Sequence, residues 1–146
     1  MSPKWTLDMA AMQEDFFSDS VLIGIVSALP AYRLCWTLNQ RFTLQFCREA
    51  DLDICLQRTD GLLHYFSIYQ YCVPLNGTRH LLYKLKHNKE VLLPEVKQLD
   101  YLWLIQSNTA DEDAGIFTQY LRDFPEVQMA QIITLDRLKN LNHLLV

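Results

Sequence analysis

The sequence predicts a single α+β domain, a two-layer arrangement in which a mainly antiparallel sheet carries helices on one face. Three observations predict it. Two turn dipeptides, Asp60-Gly61 and Asn76-Gly77, each lie between runs rich in Tyr, Phe, Ile, Leu and Val, the pattern of type I′ hairpins and hence of an antiparallel meander. Helical apolar spacing follows Pro30, at Ala31, Leu34, Cys35, Leu38 and Phe42, and returns at Ile116, Phe117, Tyr120, Leu121 and Phe124,. The most continuously apolar run, Tyr101-Leu102-Trp103-Leu104-Ile105, reads as a central strand buried on both faces. At 146 residues the chain has room for one such core, so one domain spans 1–146,.

Taken in order, the first nineteen residues read either as a weak helix with Met9, Met12, Phe16 and Phe17 on one face or as a loosely ordered N-terminal segment,. Val21 to Val26 is short, β-branched and apolar, a buried strand in which Gly24 permits close packing,. Pro30 suits the first turn of a helix, where a missing N–H costs nothing. Extended chain follows at Leu44 to Phe46 and is interrupted near Glu49-Ala50-Asp51. The meander strands are expected at about 52–59, 62–73 and 78–87, with Pro74 on an edge or at a strand end. Thr109 with Glu112 three residues on forms a capping box for a helix that Pro125 stops,. Val127 to Thr134 then reads as a strand and Asp136 to Leu145 as a last helix with Leu138, Leu141 and Leu145 inward. The sheet becomes mixed if Tyr101 to Val127 forms a right-handed βαβ crossover.

Composition narrows the function. A net charge of −4 argues against nucleic acid as a partner, because that mode needs clustered cations to release counterions. The one basic cluster, Arg79, His80, Lys84, Lys86, His87 and Lys89, alternates along a strand and turn and reads as its solvated face,. Cys35, Cys47, Cys55 and Cys72 form no CxxC pair and read as small buried hydrophobes in a reducing compartment,. The opening Met1-Ser2-Pro3-Lys4-Trp5 lacks the apolar core of a signal peptide, and the run from Val21 to Leu29 halts at Pro30, so no membrane span is expected and the cytoplasm is the expected location,. No Gly-rich phosphate loop, GxSxG elbow or HExxH pair occurs,. Asp51-Leu52-Asp53 reads as a solvated strand edge, Asp111-Glu112-Asp113 as charge at a helix start, and Cys35 as a core thiol unless a residue such as His64 approaches it,. No cofactor or metal is assigned.

Leu93-Pro94-Glu95-Val96-Lys97-Gln98-Leu99-Asp100-Tyr101, together with Leu22-Ile23-Gly24-Ile25, Tyr32-Arg33-Leu34 and Leu38-Asn39, resembles the uncharacterised bacterial IPExxxVDY family over about residues 20–106. Leu replaces Ile at the first motif position and Val before Asp100. The resemblance implies a bacterial origin and brings no reaction, cofactor or partner.

Tyr32, Arg33, Pro94, Glu95, Asp100 and Tyr101 are therefore the candidate site. One expectation is a buried polar knot: Pro94 sets chain direction, the carboxylates take backbone N–H groups or the planar fork of Arg33, and the Tyr101 hydroxyl finds a partner. The other is a pocket near Arg33, Glu95, Asp100 and Tyr101 that serves a small-ligand sensor or an acid/base enzyme. The crowding of His64, Tyr65, Phe66, Tyr69 and Tyr71 on one strand points instead to an apolar sheet face covered by a partner,. The leading expectation is a non-enzymatic module that binds a partner protein or forms a homodimer through the sheet.

Overall fold

A computed structural model describes residues 3–57 and 61–146. In chain order its elements are helix α1 (Pro3–Phe17), strand β1 (Ser20–Val26), helix α2 (Ala31–Phe42), and strands β2 (Cys47–Arg48), β3 (Ile54–Gln57), β4 (Leu63–Phe66) and β5 (Ile68–Cys72). Strands β6 (Arg79–Lys84), β7 (Lys86–His87), β8 (Glu90–Val91) and β9 (Tyr101–Gln106), helix α3 (Ala110–Leu121) and strand β10 (Met129–Ile133) complete them. Short 3₁₀ turns occupy Ala50–Leu52, Pro94–Val96, Leu135–Arg137 and Leu141–Leu144.

The main sheet has six strands in the order β10-β1-β9-β6-β5-β2, and β3 with β4 and β7 with β8 form two small pairs. The fold is α+β. Strand β9 lies third in the sheet, buried at five consecutive positions, as its apolar run predicts,. The crossover through α3 exists, but β1 lies between its two strands and pairs antiparallel with both. Among the described residues every strand pair is antiparallel, so the sheet is not mixed.

Helices α2 and α3 cover one face, where Leu34, Leu38, Ala114 and Leu121 meet Ile23, Trp103 and Ile105. The other face is covered too: Phe17 of α1, Phe66 of β4, the 3₁₀ residues Val96 and Leu144, and Leu138 pack on Leu22, Leu81, Leu102 and Leu104. That double cover removes the free sheet face on which a homodimer through the sheet depends. The aromatic strand divides as well. Its two halves, β4 and β5, separate at Ser67 and join different sheets, which leaves Tyr69 and Tyr71 half-buried and Tyr65 exposed.

Several local expectations are corrected. The β5–β6 connection is a six-residue loop over 73–78 rather than a type I′ turn: Leu75 and Gly77 have positive φ but Asn76 does not, and its side chain instead accepts the Thr78 N–H at 2.9 Å. Asp60 of the other dipeptide lies outside the described residues, while Gly61 has φ +79°. Thr109 precedes α3 without a capping bond; its hydroxyl donates to the Asp113 carboxylate at 2.9 Å. Helix α3 buries Ala110, Ala114, Thr118 and Leu121, and Ile116 and Tyr120 face outward. The small residues bring the helix close to the sheet, and Phe117 stacks on Trp103 at 4.7 Å,. No α-helix forms over 136–145, where the two 3₁₀ turns stand.

Candidate functional site

The connector from Leu93 to Tyr101 is pinned by apolar residues and aimed by polar ones. Leu93 is extended, as the residue before a proline must be, and Pro94 opens the 3₁₀ turn,. Leu93, Val96 and Leu99 are buried. Their burial leaves Glu95 and Asp100 at opposite ends of the connector, and the two carboxylates serve different parts of the chain.

Asp100 and its neighbours clasp the exit of β1. The Ser27 N–H donates to Asp100 Oδ2 and the Lys86 ammonium to Oδ1, both at 2.9 Å. The Asp100 N–H donates to the Ile25 carbonyl at 2.9 Å. The Tyr101 hydroxyl donates to the Leu29 carbonyl at 2.6 Å, and burial pushes the phenol's pKa up, with the Asp100 charge adding to it,. Beneath them Leu99 lies on Gly24: a β-carbon at that glycine would stand 2.7 Å from Leu99 Cδ1. Only a glycine lets the connector approach this strand so closely.

Glu95 faces the C-terminal segment. Its Oε1 accepts the N–H groups of Lys139 and Asn140, each at 3.1 Å, and Oε2 accepts the Asn140 amide at 3.0 Å. Partial burial would raise the carboxyl pKa, but hydrogen bonds from the backbone of Glu95, Asn140 and Lys139 and from the Asn140 side chain outweigh it and hold the group below its ordinary range,.

Arg33 and Tyr32 do not join either cluster. Both lie on the exposed side of α2, and the Arg33 guanidinium meets neither carboxylate. The expected pocket of Arg33, Glu95, Asp100 and Tyr101 is thus dispersed. Recesses of about 520 and 560 Å³ open elsewhere, the first beside Lys84, Lys86 and Lys89, the second beside Gly115, Thr118 and Arg122.

The basic cluster holds together only in part: Lys84, Lys86, His87 and Lys89 line the first of these recesses, and His80 stands apart. His80, expected on a solvated face, is 4 % exposed because β6 is covered on both sides. The Trp103 indole N–H donates to its Nδ1 at 3.1 Å, Tyr71 stacks on it at 5.8 Å, and burial pushes its pKa down to about 4 against a small opposing pull from Asp113. Sequence reasoning missed this pair, since nothing local links positions 80 and 103. It also missed Asn39, whose amide both accepts the Phe46 N–H at 2.8 Å and donates to its carbonyl at 3.1 Å, and the two-pronged Arg48–Asp53 pair at 2.5 and 2.6 Å,. Asp53, read as a solvated edge, is tied inward by that pair.

Cys35 is buried among apolar side chains of the α2 face, and its thiol is pushed up to about 12 by burial, with Cys47 adding to it,. His64 lies on β4 beside His87 and is no neighbour of that cluster. Cys47, Cys55 and Cys72 are exposed thiols, contrary to their expected burial. Among the described residues no group of three His, Cys, Asp or Glu is placed to hold a metal ion, and no helix is long and apolar enough to cross a membrane. Compared with models of protein families, with curated proteins and with solved structures, the chain matches none.

Proposed function

We propose that this chain is a non-enzymatic module that works by binding a partner protein or a second copy of itself. The observation that carries the reading is the outer surface of the helical layer. Tyr32 and Trp36, one turn apart on α2, are 68 % and 65 % exposed, and Ile116 and Tyr120, one turn apart on α3, are 54 % and 58 % exposed,. Phe42 joins the two helices, its ring 4.9 Å from Phe117 and 6.3 Å from Tyr120. Exposed large apolar side chains in pairs on neighbouring helices suit an association site, and Tyr and Trp are the residues such sites favour. The oxygens of Glu95, Asp100 and Tyr101 are spent within the chain, which supports a structural role for the motif.

The same reading includes membership of the IPExxxVDY family and a cytoplasmic setting. Two things support them. The separated segments of the resemblance touch, Gly24 against Leu99 and the Ser27–Leu29 loop against Asp100 and Tyr101, and the four cysteines are free thiols,.

Sedimentation across micromolar concentrations, with crosslinking in cell extract, tests the proposal. Self-association or a crosslinked partner, each weakened by Trp36→Glu, is the expected result. A wild-type chain that stays monomeric and recovers no protein overturns it.

A further inference from the structure

Strand β10 is one edge of the main sheet and, among the described residues, pairs only with β1. The Arg122 Nε donates to the Ala130 carbonyl at 2.9 Å, so that carbonyl faces away from β1. By the two-residue alternation of an antiparallel ladder, the N–H and C=O of Ile132 face the same open side. Beside this edge, between β10 and α3, lies the recess of about 560 Å³ lined by Gly115, Thr118, Gln119, Arg122, Gln131 and Ile132. Thr118 is 4 % exposed and its hydroxyl has no hydrogen-bond partner among the described residues. Gly115 leaves the floor open, since a β-carbon there would have nothing within 4 Å.

From these features we infer that the α3–β10 groove binds the C-terminal end of a partner protein as an added strand antiparallel to β10. This rests on the reading above that the chain binds protein, and it adds a site apart from the Tyr32–Trp36 surface and names its ligand. The direction follows from Arg122. Its Nε occupies the Ala130 carbonyl, so an added ladder that uses Ile132 must stop there, and the terminal guanidinium nitrogens, which carry no hydrogen bond among the described residues, stand where the added chain ends. A terminal carboxylate matches them in charge and in fork geometry.

The other end of the groove carries the opposite charge. Glu112, Gly115, Gln119 and Arg122 follow one stripe of α3 at three- and four-residue spacing. Glu112 and Arg122 are separated by about 15 Å along the helix, a span that an extended strand crosses in about four residues. The ligand is therefore a free C-terminus with a basic residue four positions earlier and apolar or β-branched residues between.

The test uses a synthetic pool of heptapeptides with lysine four residues before the C-terminus and Val, Ile, Thr or Tyr elsewhere, as free acids and as C-terminal amides. Amide chemical shifts of the full chain are followed during titration. The free-acid pool is expected to perturb residues 115–122 and 129–133 and to bind about tenfold more tightly than the amide pool, the value of one charge-assisted contact. Gly115→Leu fills the groove and removes the response while thermal melting is retained. Arg122→Gln brings the acid down to the level of the amide. Absence of perturbation at β10, equal binding of acid and amide, or an unchanged response in Gly115→Leu overturns the inference. If the groove fails while wild-type chain still associates in a Trp36-dependent way, the groove alone is wrong; failure of association as well removes the module reading.

Discussion

Protonating His80 should destabilise this protein from within its core. In the unfolded chain the imidazole takes its proton near pH 6.5, in the folded chain only near 4. Between those values the unfolded state binds more protons, so the contribution is fully present above pH 6.5 and is lost as the pH falls toward 4. The shift corresponds to about 3 kcal/mol in total and about 2 kcal/mol already at pH 5. The cause is structural: the ring is buried between Tyr71, Phe46 and Phe117, and its Nδ1 must accept the Trp103 N–H. A protonated ring has no lone pair to offer there, and Asp113 is the charged group that tempers the cost. Urea denaturation of wild type at pH 7.5 and pH 5 should show the difference, and His80→Gln, which lacks the titrating ring, should lose most of it. A C–H chemical-shift titration of His80 with a midpoint at or above 6, or an equal pH slope in His80→Gln, refutes the reasoning.

Gly24→Ala should cost about 1–3 kcal/mol in urea denaturation, the usual range for overpacking, because its β-carbon would press on the buried Leu99 and stand 3.0 Å from Ile133 Cγ1,. Tyr101→Phe should lower stability by about 1–2 kcal/mol, since the Leu29 carbonyl loses its donor,; a thermal melt unchanged from wild type would contradict the clasp. Asp100→Asn should leave a folded chain about 1 kcal/mol less stable, because the ion pair with Lys86 is partly solvated and an amide oxygen can still accept the Ser27 N–H. Glu95→Gln should destabilise by about 1 kcal/mol at pH 7. Its carboxyl pKa is depressed in the fold, so that stabilisation is present above the ordinary carboxylate range and disappears as acid protonates wild-type Glu95,; a penalty that persists at pH 3 would show that charge is not the cause.

The four cases differ in how far the primary structure foretells them. Gly24 within an apolar run already signals a close approach, and Pro94 signals an extended residue before it, because both are properties of one or two residues. Asp100 and Tyr101 signal only that they need partners. The partners Ser27 and Leu29 lie more than seventy residues away, and no local spacing identifies them. The absent C-terminal helix has the same origin. Apolar spacing over 136–145 favours a helix, but Glu95 holds the Asn140 N–H group that such a helix would direct at the Asp136 carbonyl,. On α3 Phe117 and Leu121, and Phe124 just after it, turn to the core as their spacing predicts, but Ala114 and Thr118 take the sheet side by being small and leave the larger Ile116 and Tyr120 to solvent.

Residue order alone determined the α+β class, the central place of Tyr101–Ile105, the helix after Pro30 and the stop near Pro125, for these depend on apolar period and on the backbone limits of proline and glycine. Tertiary structure decided which face of α3 is buried, where the aromatic strand breaks, and that Glu95 and Asp100 serve two distant segments instead of one pocket. The reason is physical: periodicity is a short-range property of the chain, whereas satisfying a buried polar group depends on whatever the rest of the fold brings within about 3 Å of it.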